Sequence, residues 1–189
     1  MYIILEGIDT AGKSTQLDIL KDKYPDALFT KEPGGTIIGS KIREMVLSGE
    51  SKSKVAEMLL FLADRAEHTE VIIKPNLNKM IISDRGFVSG IAYAKDFDID
   101  MVKMLNKIAL DGIYPDKLIM LELKPKELKN RLNSKVIDGI ESRGIQYLLD
   151  IQSRMKDLII ELNIDSLIID ANEPIEQIAD KIEEFISTS

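Results

Sequence analysis

The 189-residue sequence contains no cysteine and only one histidine, and aromatic residues make up just 5% of it. Without cysteine the chain can have no disulfide scaffold, no thiolate zinc site and no cysteine nucleophile. A single histidine excludes a polyhistidine metal site and disfavours a histidine-centred catalytic triad.

The sequence also lacks long apolar runs and an excess of positive charge. Its longest apolar run is far shorter than the roughly 18 residues that a membrane span requires. Lys and Arg number 25 against 32 Asp and Glu, which gives a net charge of −7 and no global basic footprint for nucleic acid. Small anions remain possible ligands, because a few local cations outweigh a diffuse negative background. The N-terminus has no signal-peptide pattern, and we expect a soluble cytoplasmic protein without membrane or nucleic-acid partners.

Short, nearly continuous apolar runs alternate with segments of helical periodicity. Such runs are typical of strands buried on both faces of a parallel sheet. They cover residues 2–5, 27–29, 80–82, 118–121 and 167–169. The helical segments cover residues 13–23, 37–47, 55–77, 100–110, 125–132, 145–162 and 174–186. The pattern predicts one three-layer α/β domain over residues 1–189, with a five-stranded parallel sheet flanked by helices.

The sharpest motif is Gly7-Ile8-Asp9-Thr10-Ala11-Gly12-Lys13-Ser14, directly after the first predicted strand. Two glycines separated by four residues, then lysine and a hydroxyl residue, form a phosphate-binding pattern. The glycines let backbone N–H groups face a polyphosphate, and the following helix adds its positive N-terminal dipole. Lys13 would supply charge at the β- and γ-phosphates, and Ser14 a hydroxyl ligand to Mg²⁺. The motif predicts a nucleotide phosphate site, here called the phosphate cradle (residues 7–14).

A second signal, Asp84-Arg85, follows the strand predicted at residues 80–82. An acid at the carboxyl end of a buried strand suits the Mg²⁺-associated acid of nucleotide-binding enzymes. Arg85 would face the same crevice, where open α/β sheets bind ligands. The alternative for this pair is a surface ion pair at a strand end. Asp9, inside the cradle, needs a metal, a cation or a sugar hydroxyl as its partner.

Several blocks of the sequence resemble bacterial thymidylate kinases and occur in the order of that family. The cradle block runs from Glu6 to Gln16. The further blocks are KEPGGT at 31–36, GSKIR at 39–43, FLADRAEH at 61–68, SDR at 83–85, SGIAY at 89–93, YPD at 114–116 and DANEP at 170–174. The resemblance implies a P-loop kinase fold with a short lid. It also implies transfer of phosphate from ATP to dTMP, giving dTDP, with Mg²⁺ as cofactor.

The resemblance also implies roles for individual residues. The residues that would bind ATP are Gly7, Ile8, Asp9, Thr10, Ala11, Gly12, Lys13, Ser14 and Thr15. The residues that would bind dTMP are Glu32, Arg43, Phe61, Arg65, Arg85, Gly90 and Tyr93. Those with catalytic roles would be Lys13, Arg85, Asp9 and Arg131, and the metal would lie at Ser14 and Asp84. Family members are usually homodimers, so we expect a dimer through the face of the helix predicted at residues 55–77.

Within the dTMP set, the resemblance places Arg43 and Arg85 at the phosphate and Phe61 over thymine. Arg65 would reach the base edge, and Tyr93 would lie against the deoxyribose and disfavour a 2′-hydroxyl. Residues 171–174 would form the loop on the adenine side. His68, one helical turn from Arg65, is expected to be a hydrogen-bonding or helix-face residue rather than a ligand.

The lid expected at residues 131–143 is short and poor in arginine. Relatives often supply a mobile arginine from the cradle or the lid, but Thr10 occupies that cradle position here. Arg131, Lys135 or Arg143 could serve as the lid cation. We expect Arg131, because residues 128–132 match the family's entry to the lid.

Two further positions depart from the family at the base subsite. Gly90 stands where Ser or Asn is frequent, and Ala94 where Gln is frequent. Both changes remove side-chain hydrogen bonds, and a methyl-sized pocket alone discriminates by about 1–3 kcal/mol. We therefore expect a preference for dTMP over dUMP that is only modest.

Three other functions are compatible with a phosphate cradle. A different nucleoside or nucleoside monophosphate kinase is disfavoured by the blocks assigned to the second substrate. A nucleotide-switched regulator would need an Asn-Lys-x-Asp segment, but the two Asn-Lys pairs, at residues 78–79 and 106–107, lack the acid. A nucleic-acid-bound ATPase is disfavoured by the acidic balance and the lack of a basic stripe.

Overall fold

The computed structural model describes residues 1–49, 51–132 and 144–188. Within these ranges the chain forms five strands, β1 Tyr2–Glu6, β2 Leu28–Lys31, β3 Ile81–Asp84, β4 Lys117–Glu122 and β5 Asp165–Asp170. They make one sheet in the order β2-β3-β1-β4-β5, and every neighbouring pair is parallel. The prediction of a five-stranded parallel sheet is confirmed.

The same ranges contain α-helices that flank this sheet. They are α1 Lys13–Lys23, α2 Ile37–Leu47, α3 Lys54–His68, α4 Phe87–Tyr93, α5 Ile99–Ala109, α6 Pro125–Leu132, α7 Ile145–Glu161 and α8 Ile175–Ser187. One group of helices consists of α1 packed on α8, and the other joins α3, α4, α5 and α7 through mutual contacts. Residues 133–143, most of the expected lid, lie outside the described residues.

Side chains at three helix starts explain where those helices begin. The Thr36 hydroxyl accepts a hydrogen bond of 2.8 Å from the Gly39 N–H at the start of α2. The Ser53 hydroxyl does the same for α3, and the Asp98 carboxylate for α5. Each caps a backbone N–H that has no partner within its own helix.

The segment predicted as one helix at residues 55–77 is helical through Asn76, but its hydrogen bonding changes type after His68. The α-helix α3 ends at His68 and is followed by a π-helical turn, Thr69–Ile73, and a 3₁₀ turn, Lys74–Asn76. Pro75 in the last turn has no N–H to donate, so α-helical bonding cannot extend through it. The apolar periodicity of the segment continues past the point where its hydrogen bonding changes.

Helix α4 was not predicted from the sequence. Its seven residues include a central glycine, and Phe87, Val88, Ser89, Ile91 and Ala92 are all buried. Because both faces of the helix are covered, the segment shows no amphipathic alternation to reveal it. Tertiary packing, rather than local propensity, therefore accounts for this helix.

The centre of the core is β1, whose five residues are all buried, including Glu6 at its end. Strands β2 and β3 run parallel to it, so the three carboxyl ends lie on one edge of the sheet. The cradle follows β1, Glu32 follows β2, and Arg85 follows β3. This edge is where ligands bind in open α/β sheets. None of the helices in the described ranges has the length and hydropathy of a membrane span.

Candidate active site

The cradle turns sharply between β1 and α1. Gly7, Thr10 and Gly12 have φ values of 144°, 66° and 97°. At Gly7 a Cβ atom would lie 2.8 Å from the carbonyl oxygen of Leu121 on β4, so only glycine fits there. The backbone can thus curve over the sheet edge with its N–H groups directed at one volume. Of the nine residues assigned to ATP, Ile8 and Ala11 bury their side chains in the core.

Lys13, the first residue of α1, lies inside the cradle. Its ammonium donates to the carbonyl oxygens of Gly7, at 2.9 Å, and Ile8, at 3.1 Å. The residue is 6% exposed. Burial and the nearby Arg85 guanidinium lower the pKa of Lys13 to about 8. The ammonium is therefore already desolvated and held where the predicted triphosphate would lie.

Arg85 connects the cradle with the end of β3. Its Nη1 donates to the Gly7 carbonyl at 2.7 Å, and its Nη2 to Asp9 Oδ1 at 2.5 Å. Burial alone would lower the pKa of Arg85, but the Asp9 carboxylate raises it overall, so the guanidinium stays charged. Asp9 thus has the cationic partner that its place in the cradle requires.

Glu6 holds the backbone at the start of α4, directly after Arg85. Its carboxylate accepts hydrogen bonds from the N–H groups of Gly86, at 3.1 Å, and Ser89, at 3.2 Å, and from the Ser89 hydroxyl at 2.5 Å. Glu6 is fully buried, and burial raises its pKa. A carboxylate from β1 therefore caps the first turn of α4, which has no capping side chain of its own.

A cavity, here called the acceptor cavity, opens beside the cradle. It brings together the seven residues assigned to dTMP with five others, of which Asp9 belongs to the cradle. Its lining includes Asp9, Glu32, Pro33, Arg43, Leu47, Phe61, Arg65, Arg85, Gly86, Ser89, Gly90 and Tyr93. All seven residues predicted for the second substrate therefore line one cavity.

Arg65 is the most enclosed of the cavity's arginines, at 2% exposure. Its Nε donates to Glu32 Oε2 at 2.8 Å and its Nη1 to Asn106 Oδ1 at 2.6 Å. Its Nη2 donates to the Gly86 carbonyl at 3.0 Å. The guanidinium is therefore fixed by charge-assisted hydrogen bonds from three sides.

Glu32 is held from the other side by His68. The second Glu32 oxygen lies 2.8 Å from His68 Nδ1, and His68 Nε2 lies 2.7 Å from the Thr30 hydroxyl. Burial opposes ionisation of Glu32, but Arg65 and His68 lower its pKa overall. His68 is thus the hydrogen-bonding residue that its sequence position suggested.

Arg43 and Tyr93 occupy the two remaining polar positions of the acceptor cavity. Arg43 Nη1 donates to the Pro33 carbonyl at 3.0 Å, which holds the loop after β2 against α2. Burial raises the pKa of the Tyr93 phenol, and its hydroxyl has no hydrogen-bond partner within the described ranges. Both residues line the cavity.

Ser14 and Asp84 line a second, more open cavity. Asp84 Oδ1 is buried and accepts no hydrogen bond from any described residue. No group of three or more His, Asp or Glu residues suited to a metal occurs among the described residues. A cation here would therefore need oxygen ligands from a bound nucleotide or from water.

Arg131, near the end of α6, bridges the cradle and the loop after β5. Its Nη1 donates to the Thr10 carbonyl at 3.0 Å and its Nη2 to the Ala171 carbonyl at 2.9 Å. Its Nε pairs with Glu127 one turn earlier on the helix. The residue expected to be the lid cation therefore lies at the junction of the predicted phosphate and adenine subsites.

Three buried residues of the site were not predicted from the sequence. Glu6 and Asn106 are described above, and Asp64 Oδ1 accepts from the Gly34 N–H at 3.0 Å. Glu6 and Asp64 lie inside the blocks that carry the family resemblance, and this position could have marked them as residues of the site. Asn106 lies outside every block, and nothing in the sequence marks it.

A parallel sheet in the order 2-3-1-4-5, a cradle after its central strand and an arginine-lined cavity beside that cradle define a P-loop kinase, an ATP-dependent phosphotransferase. The sequence model of the thymidylate kinase family matches residues 5–182. Thymidylate kinase of Aliarcobacter butzleri is 59% identical over 187 residues, covering 99% of each chain. That of Wolinella succinogenes is 54% identical over 182 residues, covering 96% of each.

A solved structure agrees with these sequence comparisons. Thymidylate kinase from Ehrlichia chaffeensis superposes with a TM-score of 0.78 at 25% identity, covering 100% of this chain and 98% of that one. The chain belongs to the thymidylate kinase family. The predicted family, fold class and phosphotransferase activity are confirmed.

Proposed function

We propose that the chain, acting as a single kinase domain, transfers the γ-phosphate of ATP from the cradle to dTMP in the acceptor cavity. The observation that carries this proposal is the position of Arg85. It lines the acceptor cavity and donates to Gly7 and Asp9 of the cradle. One guanidinium can therefore neutralise charge on both the donor and the acceptor phosphate.

The dTMP phosphate would lie between Arg43 and Arg85, and the base would reach Phe61 and Arg65. Phe61 is the aromatic residue of α3 that lines this cavity. Arg65 carries only hydrogen-bond donors. A donor-only side chain suits the carbonyl oxygens of thymine and would repel the amino group of cytosine. This arrangement favours a 4-oxo pyrimidine.

The sugar would lie between Asp9 and Tyr93. Carboxylate and phenol groups can each form a hydrogen bond with a hydroxyl of the deoxyribose. The Tyr93 hydroxyl has no partner in the described part of the protein. Bulk from the Tyr93 ring would disfavour a 2′-hydroxyl. We therefore expect deoxyribonucleotides to react in preference to ribonucleotides.

The chemistry needs no general base, because the attacking group is already a phosphate oxyanion. That oxygen forms a bond to Pγ while the bond from Pγ to the ADP oxygen breaks. Lys13 and Arg85 would neutralise the charge that gathers around Pγ, and the cradle N–H groups would align it. Catalysis then depends on alignment and charge compensation.

Ser14 and Asp84 are suited to Mg²⁺ because their oxygens share one cavity and Asp84 Oδ1 is buried without a partner among the described residues. Ser14 would supply a hydroxyl ligand, and Asp84 would act directly or through a water. When bound, Mg²⁺ would shield the phosphate charges of ATP. Asp9 is already paired with Arg85, so we assign it to the sugar and to Arg85 rather than to the ion.

We also propose a homodimer through α3. Val55 and Leu59 on this helix are 50% and 51% exposed, and Ala63 and Ala66 continue the same exposed face. Such an apolar stripe is typical of a helix that packs on another helix. Light scattering should give a dimer for the wild type and a monomer for Leu59→Glu, but a dimer for the control Ile160→Glu on α7. A monomeric wild type would contradict the proposal.

The experiment that tests the activity is a coupled assay with ATP and Mg²⁺ across dTMP, dUMP, dCMP, AMP and thymidine. We expect kcat/KM to be highest for dTMP, with dUMP lower by a modest factor and dCMP, AMP and thymidine much lower. Equal values for dTMP and dUMP would contradict thymine selection. A higher value for any other substrate would make the chain a different nucleotide kinase. Cytoplasmic location and the lack of a nucleic-acid partner stay predictions.

A further inference from the structure

Helix α4 passes directly beneath the Arg65 guanidinium at Gly90. A Cβ atom on residue 90 would lie 2.5 Å from Arg65 Nη1, 2.9 Å from Nη2 and 3.1 Å from Cζ. Carbon and nitrogen atoms that are not bonded cannot approach so closely. Any residue other than glycine would therefore exclude Arg65 from its observed position.

Arg65 cannot move aside without losing its partners. Its nitrogens donate to Glu32, Asn106 and the Gly86 carbonyl at 2.6–3.0 Å, and the residue is 2% exposed. A displaced guanidinium would leave the Glu32 carboxylate with His68 as its remaining partner. Buried charged groups that lose a partner are strongly unfavourable. An exposed arginine could change its side-chain conformation to avoid the clash, but Arg65 could not do so without losing these hydrogen bonds.

The lack of a side chain at position 90 leaves space for the Arg65 guanidinium. From the sequence, Gly90 was expected to weaken base selection, since it removes a side chain that could bond the base. In the structure, the space that this side chain would fill is occupied by the Arg65 guanidinium. A guanidinium carries five N–H donors, and the three bonds described leave two for a ligand.

We propose that Gly90 is a specificity-determining residue, because its missing side chain lets the Arg65 guanidinium lie at the floor of the base subsite. The proposal rests on the function proposed above, in which the base occupies this part of the acceptor cavity. Gly90 acts through Arg65 and is a positioning residue. With Arg65 in place, the subsite accepts a carbonyl at the pyrimidine 4-position and rejects an amino group.

The test is a double-mutant cycle of Gly90→Ala and Arg65→Lys, with KM and kcat measured for both substrates. In the wild-type background, Gly90→Ala should raise KM for dTMP about tenfold or more, with kcat and KM for ATP within about twofold. The same substitution should also lower the preference for dTMP over dCMP. In the Arg65→Lys background, Gly90→Ala should change KM for dTMP by less than about twofold, since the flat guanidinium is gone.

Thermal unfolding supplies a readout that does not depend on activity. Alanine in place of a helical glycine ordinarily stabilises a protein, so a lower Tm for Gly90→Ala would report the clash with Arg65. Introducing Arg65→Lys as well should remove that loss. If Gly90→Ala does not fold, folding of the double variant supports the proposal, and failure of both variants contradicts it.

The outcomes separate this proposal from the function on which it rests. If Arg65→Lys alone leaves KM for dTMP unchanged, the assignment of the base subsite is wrong. If Arg65→Lys raises KM but Gly90→Ala does not, the base subsite stands and the role of Gly90 is wrong. An equal rise from Gly90→Ala in both backgrounds would also overturn the role of Gly90, because the effect would not pass through Arg65.

Discussion

The guanidinium of Arg131 donates a hydrogen bond of 3.0 Å to the carbonyl oxygen of Thr10, 121 positions earlier in the chain. A second bond, of 2.9 Å, reaches the carbonyl oxygen of Ala171. One side chain of α6 thus connects the cradle with the loop predicted to hold adenine. The position of that loop relative to the triphosphate therefore depends on Arg131.

Replacing Arg131 with alanine should weaken ATP binding while leaving dTMP binding intact. Loss of the charge-assisted bonds should raise KM for ATP about tenfold, with KM for dTMP unchanged. Lys129→Ala, an exposed position on the same helix, is the matched control and should behave as the wild type. An unchanged KM for ATP in the Arg131 variant would contradict its role in the nucleotide site.

Arg85→Ala should remove most turnover. This side chain neutralises charge at the cradle and lines the acceptor cavity, so its loss should lower kcat on the order of 10³-fold. Arg154→Ala provides a control outside the acceptor cavity, where Arg154 Nε donates to the Ala92 carbonyl. Steady-state rates at saturating ATP and dTMP measure the effect. A kcat close to that of the wild type would show that Arg85 does not serve the reaction.

Lys13 should impose a pH dependence on the use of ATP. Its pKa in the free protein is about 8, and only the protonated ammonium attracts phosphate. As pH rises through this value the free protein loses the charge, so kcat/KM for ATP should fall on the alkaline side. Lys13→Arg, which stays protonated, should be less active but should lack this alkaline decline. A decline of the same shape in both proteins would assign it to another group.

Glu6→Ala should destabilise the fold. The substitution leaves the buried N–H groups of Gly86 and Ser89 without their acceptor, and each unsatisfied donor costs about 1–3 kcal/mol. We expect the free energy of unfolding to fall by roughly 2–4 kcal/mol in urea titrations. Glu184→Ala, an exposed position on α8, should change it by less than about 0.5 kcal/mol. Equal stability of the two variants would mean that the Glu6 carboxylate contributes little to α4.

The strands and most helices could be predicted because their signals are local. A strand buried on both faces reads as a short apolar run, and a helix with one exposed face reads as a periodic pattern. Helix α4 has neither signal, since it is buried on both faces and carries Gly90 at its centre. The change of helix type after His68 leaves no trace in the apolar spacing either.

The cradle could be predicted for the same reason, since all its residues are consecutive. Contacts between residues that are distant in the sequence could not be predicted. Glu6 and Ser89 are 83 positions apart, and Arg65 and Asn106 are 41 apart. No spacing rule links such pairs, because the fold of the sheet and helices brings them together. The structural reason for glycine at position 90 is equally invisible without the position of Arg65.

The account depends most on the assignment of the acceptor cavity to dTMP, beside a cradle that holds ATP. A crystal structure with dTMP and a non-hydrolysable ATP analogue tests it directly. We expect the dTMP phosphate within hydrogen-bond distance of Arg43 and Arg85, and the thymine ring against Phe61 with its edge at Arg65. An acceptor cavity without dTMP, or arginines turned away from the bound nucleotide, would contradict the account.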